Sequence, residues 1–338
     1  MTIDIRNSFL EISSLSSSSI DEVYTGHFDF AMGASSWDER SIAMTNARNF
    51  TSDFGLLFYF LKKDSKGVSE RHETILGVFF ERYCKRHSVH EVEATHLRAN
   101  WEVVRSALLK AYHETHRPLS VFVDLSTIPR HLSLGLLGFG LEHGLIESLT
   151  YGYSEGEYPN DDKDSVSQEL FTEGGWEAVA IPGFIGEWEP CRARHYIVAL
   201  GFEGVKTQQL VSRSEPDKVS VLFPDPPVKE GYDEITFENN RLLIERFAIP
   251  KERIVRAHAT DIVAALNRLQ DAELENLESE NCLYVCCGTK PHSLALAIRA
   301  VLVGEPAVLY VVPESHRVSY TKPNGVFWNY TIRDHSAI

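Results

Sequence analysis

The sequence predicts the α/β class, with two similar units in tandem. Apolar runs of strand length alternate with apolar runs of helical period along the 338 residues. The strand-length runs are apolar on both faces, which is typical of a parallel sheet covered by helices on both sides. The order of the elements in the first half then repeats in the second half. Two tandem Rossmann-like units, doubly wound with mostly parallel sheets and related by internal duplication, are therefore the predicted fold.

The first unit follows from buried strands and striped helices in order. A strand starting at Phe28 ends in a polar loop, and a helix is expected from about residue 38. Leu76, Phe79 and Tyr83 share one stripe, as do neighbouring apolar residues around Val104, which predicts two further helices. The predicted strands are 28–33, 55–60, 90–94, 120–125 and 146–153, and the predicted helices after the first are 70–87, 101–113 and 129–141.

The second unit repeats this order. A strand at 195–201 ends in a glycine-flanked turn, and the following elements have the same sequence of types as in the first unit. The predicted strands are 195–201, 218–223, 253–258, 282–287 and 306–312, and the predicted helices are 239–247, 260–270 and 291–303.

The expected boundaries are set by changes in composition. Residues 1–26 are polar and serine-rich, and a flexible or peripheral segment is expected there. The first unit spans 27–153 and the second 195–338. The acidic bridge 154–194 also holds Trp176, Phe184 and Trp188, so it is expected to be partly packed.

Composition excludes several classes of function. The net charge of −15 and the lack of a dense Lys/Arg run argue against direct binding of duplex DNA. No apolar run is long enough for a membrane span, and no secretory signal is expected at the start. The five cysteines form no C-x-x-C pair, which suggests reduced thiols in a cytoplasm. Motifs for zinc enzymes, α/β-hydrolases and dinucleotide oxidoreductases are absent, so no metal or cofactor is expected and catalytic residues stay unassigned.

The most unusual residues lie at one place in both units. A strand, a short polar turn and an apolar helix occur at 121–137 and again at 283–298. Thr127 aligns with Thr289 and Pro129 with Pro291, each at an offset of 162 residues (289 − 127). Ligands of open α/β sheets bind beside the carboxyl ends of the strands, so the repeated turn predicts two half-sites.

The second turn has the residues of an anion cradle. Gly288 permits a tight turn, Thr289 offers a hydroxyl at the helix start, Lys290 adds a cation, and Pro291 and His292 begin the helix. The alternative is a capped helix with a solvated lysine.

The first turn offers different chemistry. Asp124 is expected to meet a ribose hydroxyl or a base edge, and Arg130 a phosphate. A structural ion pair between Asp124 and an arginine is the alternative, and Ser126 and Thr127 suit helix capping.

The loops after the first strands complete the candidate sites. Ser35 and Ser36 follow the first strand of unit one, and Gly201, Glu203 and Gly204 follow that of unit two. These loops lie beside the repeated turns only if the first and fourth strands are neighbours.

The turn Cys287–Lys290 resembles the G-T-K signature of CARF sensor domains, and the duplicated layout is similar to SAVED domains, over about residues 27–335. The resemblance implies a sensor of nucleotide or cyclic oligonucleotide messengers in prokaryotic antiviral defence. The resemblance further implies that Thr289 and Lys290 contact ligand phosphates and that the other turns named above complete the site. The flanks are too short for a fused effector, so a separate effector protein or a homo-oligomer is expected.

Three hypotheses follow. The first is a cytoplasmic nucleotide-binding or oligonucleotide-binding sensor. The second is an enzyme on the same turns, either a phosphodiesterase with Lys290 stabilising charge or a nucleotide-modifying enzyme with Asp124 or Glu203 as acid or base. The third is a scaffold subunit in which the acidic surface and the 154–194 bridge dock a partner.

Overall fold

The computed structural model describes two compact α/β units. It describes residues 2–5, 8–60, 67–93, 95–158, 172–186, 188–276, 279–304, 307–316 and 321–335. Unit 1 comprises Met1–Pro159 and Val318–Ile338, and unit 2 comprises Asn160–Arg317. Across these described ranges, every helix is too short or too polar to cross a membrane.

Unit 1 begins with a strand pair and continues as alternating strands and helices. A 3₁₀ helix, Glu39–Asn46, stands where the first crossover helix was predicted. The elements are β1 (Thr2–Ile5), β2 (Ser8–Ser17), α1 (Ile20–Val23), β3 (Gly26–Ser35), β4 (Phe50–Phe60), α2 (Val68–Tyr83), β5 (Cys84–Val92), α3 (Leu97–Thr115), β6 (Leu119–Asp124), α4 (Arg130–Glu142) and β7 (Ile146–Glu157).

Unit 2 repeats the alternation. Its elements are β8 (Thr172–Ala180), β9 (Ala193–Ala199), α5 (Gly204–Ser214), β10 (Lys218–Pro224), α6 (Tyr232–Arg246), a 3₁₀ turn (Lys251–Arg253), β11 (Ile254–Ala257), α7 (Ile262–Asp271), β12 (Glu280–Cys286), α8 (Lys290–Val303) and β13 (Ala307–His316). The chain then returns to unit 1 as β14 (Lys322–Asp334).

The two sheets share one strand order. The first runs β1-β2-β14-β7-β6-β3-β4-β5, and the second β11-β10-β9-β12-β13-β8. In each, five consecutive strands are parallel, with the first of the five between the second and the fourth. An antiparallel strand lies beside the fifth in both sheets. The predicted pair of Rossmann-like units with mostly parallel sheets is confirmed.

The helix after the fourth strand also repeats in detail. In both α4 and α8 the first residue is half-buried, the next eight are buried, the tenth is half-buried and the eleventh is buried. Helices with nearly complete burial need apolar or small residues at almost every position, which explains why both runs lack helical stripes. The repeat supports the internal duplication that the sequence predicts.

The compact units do not coincide with the predicted boundaries. The last strand, β14, was expected in the second unit, but it pairs with β2 and β7 of unit 1. The predicted bridge 154–194 holds no separate module among its described residues, since it contains the end of β7 and all of β8. Phe184 is buried, as expected for a partly packed segment, whereas Trp188 is half exposed. Unit 2 is thus inserted in sequence between β7 and β14, which are neighbours in one sheet.

The N-terminal segment is not peripheral. Residues Ser8–Ser17 form β2, and the serine run lies opposite residues Phe327–Thr331 of β14. Leu10 and Ile12 point into the core, where they are 2% and 0% exposed. Serines on the alternate positions obscure this period-two pattern in the sequence. Val23 and Tyr24, at the end of the same segment, are also fully buried.

Each unit has its own apolar core. In unit 1, the rings of Phe28, Phe50 and Phe122 meet with centroids 5.0 to 5.6 Å apart, so one face of the sheet is closed by aromatic packing. In unit 2, aliphatic residues such as Val198, Val221 and Val285 line the corresponding face. Each sheet is therefore anchored by close packing on this face.

Candidate functional site

The predicted turns lie at the switch point of each sheet. The first and fourth strands are neighbours in both units, as β3 and β6 in unit 1 and β9 and β12 in unit 2. This is the condition under which the loops after the first strands meet the repeated turns. At such a point the neighbouring loops leave toward opposite faces of the sheet and open a crevice at its carboxyl edge.

Arg130 and Lys290 are structural counterparts. Arg130 is the first residue of α4 and Lys290 the first of α8, 160 residues apart (290 − 130). Both side chains are half-buried. The predicted pairing of Pro129 with Pro291 therefore does not hold at the helices, because Pro129 precedes α4 whereas Pro291 is the second residue of α8. The turn in unit 2 is shorter than the turn in unit 1. The sequence offset between the two strand ends therefore differs from the offset between the two helix starts.

Asp124 is held inside unit 1. Its side chain is 1% exposed, and Oδ1 accepts hydrogen bonds from the Ser126 backbone N–H at 2.9 Å and the Tyr24 hydroxyl at 3.4 Å. Ser126 Oγ in turn accepts from the Ser154 N–H at 2.9 Å. Burial raises the pKa of Tyr24 well above its usual value, and the charge of Asp124 raises it further. These contacts favour a structural role for Asp124 in shaping the turn.

Two hydroxyls beside this turn are buried without a hydrogen-bond partner in the described part of the chain. They are Ser35 Oγ, at the end of β3, and Ser154 Oγ, in β7. Their residues are 1% and 0% exposed. Since β6 lies between β3 and β7, the two serines flank the Asp124 turn on either side. A buried hydroxyl without a partner costs about 1 to 3 kcal/mol, which makes this edge of the sheet costly unless a partner binds.

Thr127 and Ser36 fix the backbone around the crevice. Thr127 Oγ1 donates to the Ala34 carbonyl at 2.7 Å and ties the turn to β3. Ser36 Oγ accepts from the Asp38 N–H at 3.1 Å, and the Ser36 carbonyl lies 2.7 Å from Nδ1 of the buried His72. Both predicted residues therefore lie at the predicted place, with their hydroxyls engaged by the protein.

An ion pair that the sequence did not single out fills part of the unit 1 crevice. Arg40 is 8% exposed and binds Asp38 through two nitrogens, with Nη2 to Oδ2 at 2.7 Å. Thr321 also donates to Asp38 Oδ2, at 2.7 Å. Burial raises the pKa of Asp38, but the charge and hydrogen bonds of Arg40 outweigh it, so the net shift is downward. The sequence does not show this burial, which depends on contacts with distant residues such as Thr321.

Arg40 reaches across the carboxyl end of β6. It follows β3, yet a Cβ atom added at Gly156 of β7 would lie only 3.0 Å from Arg40 Cδ. Gly156 thus leaves the space that the guanidinium occupies. Burial raises the pKa of Tyr153, and the charges of Arg40 and Arg130 both act to lower it. The charges of Arg40 and Arg130 therefore both act on Tyr153 at this edge.

In unit 2 the two loops at the switch point contact each other through their backbones. A Cβ atom at Gly201 would lie 2.8 Å from the Cys287 carbonyl oxygen, and one at Gly288 would lie 2.7 Å from the Leu200 carbonyl oxygen. Only glycine permits the two loops to approach this closely. The glycines that suggested an anion cradle are thus required by the contact between the loops themselves.

Thr289 and His292 hold the start of α8. Thr289 Oγ1 accepts from the His292 N–H at 3.2 Å and donates to the Ala259 carbonyl at 2.8 Å. Thr289 therefore caps the helix, as in the alternative interpretation of this turn. His292 is fully buried, with Nε2 3.0 Å from the His258 carbonyl oxygen. Its Nδ1 has no hydrogen-bond partner among the described residues. Burial lowers its pKa to about 4, so the ring is neutral at pH 7.

Glu203 and Gly204 have local partners. The Glu203 carboxylate bonds with Thr172 and lies 3.5 Å from Lys206 Nζ, and Lys206 also contacts Thr172. A Cβ atom at Gly204 would lie 1.7 Å from the Asn239 carbonyl oxygen, so Gly204 is required by the packing of α5 on α6. Lys206 is a second cation at the carboxyl edge of this sheet, and the sequence did not single it out because α5 was not predicted.

Fold and site together define a protein of two Rossmann-like units, each with a cation at the start of the helix that leaves the switch point. Comparison with family models, with curated proteins and with solved structures gave no match. The function is therefore inferred from the geometry at the carboxyl edges of the two sheets.

Proposed function

We propose that the protein binds a nucleotide or oligonucleotide through phosphates at the N-termini of α4 and α8, and that it acts as a ligand-responsive regulator. One observation carries the proposal. Arg130 and Lys290 occupy the same helical position, at the same switch point, in two units with the same strand order. Each unit thus offers one cationic helix start that suits a phosphate.

The physical basis is local charge. Backbone N–H groups of the first helical turn point out of a helix, and the dipole adds about half a positive charge there. In α8 Pro291 has no N–H and the His292 N–H is bound to Thr289, so the dipole and the Lys290 charge carry most of the attraction. A guanidinium or ammonium at the first position adds a full charge. Binding of a small anion is thus compatible with the net charge of −15, because screening limits the reach of distant acidic residues to about 10 Å.

The polar groups beside the cations suit the rest of a nucleotide. In unit 1, Ser35 and Ser154 have buried hydroxyls without partners among the described residues, and a ligand would reach them only after this edge of the sheet opened. Arg40 adds a second cation close to Tyr153. In unit 2, Glu203 and Lys206 lie at the end of the first strand, where Glu203 suits a ribose hydroxyl. A ligand would replace contacts that these groups now make with the protein.

A role in prokaryotic antiviral defence extends this proposal through the resemblance to CARF and SAVED sensors. Binding energy would shift the protein between two conformations, which a separate effector or a second copy of the chain would detect. A reducing compartment such as the cytoplasm is part of this proposal, since the five cysteines form no C-x-x-C pair.

The structure offers less support for an enzyme at these turns. Asp124 is buried against Tyr24 and Ser126, and Thr289 caps a helix. A general acid or base must reach the proton that it transfers, and Asp124 has no such access. The scaffold hypothesis gains no specific contact from the described residues of the 154–194 bridge.

Thermal unfolding against a panel of mono-, di- and cyclic oligonucleotides tests the proposal. A ligand that binds only the folded state stabilises it by about 2.7 kcal/mol at one hundred times its dissociation constant. We expect Arg130→Ala and Lys290→Ala each to weaken binding about tenfold or more. Lys85→Ala and Arg105→Ala are matched controls, since these side chains are exposed on β5 and α3.

The results separate the hypotheses. If the site and control variants lose affinity equally, the loss comes from the change in net charge. That result would contradict the proposed binding site. A flat panel would contradict nucleotide binding and favour the scaffold. Product analysis of the same samples would reveal turnover, and turnover would favour the enzyme.

A further inference from the structure

A second cluster of polar side chains lies at the amino edge of the unit 2 sheet, at the end opposite Lys290. His195 begins the buried part of β9, and Cys282 is its register partner on β12. Glu280 stands two residues before Cys282 on the same strand, so the three side chains share one face of the sheet. The cluster is independent of the proposed nucleotide site.

The donor atoms are close enough to bind one ion. One ring nitrogen of His195, a Glu280 oxygen and Cys282 Sγ all lie within 4.8 Å of one another, and His195 Nδ1 is 3.0 Å from Glu280 Oε2. Tetrahedral zinc with bonds of about 2.0 to 2.3 Å places its ligand atoms about 3.3 to 3.8 Å apart. Side-chain movements of less than about 1 Å would therefore bring the three atoms to bonding distance.

The surroundings match those of metal-binding histidines and carboxylates. His195 Nε2 lies 2.8 Å from Ser220 Oγ, so a proton on Nε2 would be donated to Ser220 and the Nδ1 lone pair would point to the ion. Lys218 Nζ lies 3.1 Å from Glu280 Oε1 and 3.4 Å from Oε2, so its ammonium group would shift toward Oε1 when an ion binds Oε2. The Lys218 and Glu280 side chains are 22% and 14% exposed, and this opening gives an ion a path from solvent.

Ser220, His195 and Glu280 also have the contact order of a hydrolase triad. A nucleophile must reach its substrate, however, and both Ser220 and His195 are 0% exposed. The closed position of Ser220 excludes that chemistry, whereas it suits a residue that orients a metal ligand.

We propose that His195, Glu280 and Cys282 form a zinc site with one position left for water. On binding, the ion forms a bond to Cys282 Sγ and the thiol proton is released to solvent. The ion would join β9 to β12 at the edge of the sheet and thereby stabilise unit 2. The expectation of no metal rested on short cysteine and histidine motifs, which miss ligands that are 85 residues apart (280 − 195).

Cobalt substitution in the full-length protein tests the site directly. One equivalent of Co²⁺ should give a sulfur-to-cobalt charge-transfer band and the strong visible bands of a tetrahedral ion. Cys282→Ala should abolish the charge-transfer band, and Glu280→Gln should weaken Zn²⁺ binding about tenfold or more. Cys286→Ala is the matched control, because Cys286 is a buried thiol at the other end of β12.

Thermal unfolding with Zn²⁺ alone as the probe gives an independent readout. Zinc should raise the midpoint of the parent protein and of Cys286→Ala, and should leave that of Cys282→Ala unchanged. Circular dichroism without metal establishes that each variant is folded. A folded parent protein with no charge-transfer band and no zinc-dependent shift would overturn the proposal, as would a band that survives in Cys282→Ala.

Discussion

His131 and His292 occupy the first turns of α4 and α8, and both are buried. Burial lowers the pKa of each imidazole from 6.5 to about 4, because an enclosed charge loses its hydration. The unfolded chain keeps the ordinary pKa, so between pH 6.5 and pH 4 it binds more protons than the folded protein. Stability from these two groups is thus complete above pH 6.5 and is lost as the pH falls toward 4.

The free energy of unfolding should therefore fall by about 1.4 kcal/mol per pH unit for each of these histidines in that window. Urea denaturation at several pH values measures the slope. His131→Gln should remove the contribution of one histidine from this slope. His143→Gln is the control, since His143 ends the same helix with 49% of its side chain exposed. A slope that does not change in His131→Gln would contradict the assignment of a buried neutral imidazole.

Sequence patterns predicted which residues lie at the carboxyl edges of the sheets better than they predicted the contacts of those residues. Strand and helix patterns place Asp124, Thr127 and Thr289 at the carboxyl edge without any knowledge of the fold. Whether each side chain faces a ligand or the protein depends on contacts between distant residues, such as Tyr24 with Asp124. Arg40 was missed for the same reason, because its burial depends on Gly156.

At the scale of elements, β2 shows how a polar sequence can be part of the core sheet. It pairs with β14, and Ile12 is fully buried whereas Leu15, on the same strand, is 56% exposed. Hydrophobic burial therefore comes from alternate positions, Leu10 and Ile12, and this face continues with Ser14, whose hydroxyl is also buried.

Ile12→Ala should destabilise unit 1 by about 2 to 5 kcal/mol, since it removes buried methyl groups and leaves a cavity. Leu15→Ala should change the stability by less than about 0.5 kcal/mol, because the side chain is largely in solvent. Chemical denaturation of both variants gives the comparison. Equal small effects would show that the N-terminal segment is dispensable, as the sequence alone suggested.

The elements that sequence patterns predicted well are the parallel strands and the helices that cover them. Their burial on both faces or along one stripe leaves a clear signal, as in β6 and α3. The antiparallel strands β8 and β14 were missed because they lie outside the parallel core and mix polar with apolar residues. Helix α5 was missed because only Leu210 and Val211 among its buried residues have large apolar side chains.

At the scale of the molecule, the path of the chain links the two sheets in a way that the repeat alone does not show. The fifth strand of each unit is followed in sequence by the antiparallel strand of the other sheet, as β7 by β8 and β13 by β14. In unit 1, β14 lies between β2 and β7, so the strands from the start of the chain join the rest of the sheet only through the end of the chain.

Separate chains of residues 1–165 and 166–338 should therefore associate when they are expressed together, because β14 of the second completes the sheet of the first. Affinity purification through a tag on the second chain measures this. A second chain that ends at residue 317 lacks β14 and should lose its partner. Retention of the partner by the shortened chain would show that β14 is not what holds the two chains together.

The position of β14 also sets the order of events on the ribosome. All of unit 2 is synthesised after β7 emerges and before β14 does, and at about 5 to 20 residues per second this takes on the order of 10 to 30 seconds. Unit 2 is contiguous and can complete its sheet within that interval, while β7 waits with an unpaired edge. Such an edge is prone to pair with other chains, so the yield of folded protein should depend on chaperones that shield the nascent first unit.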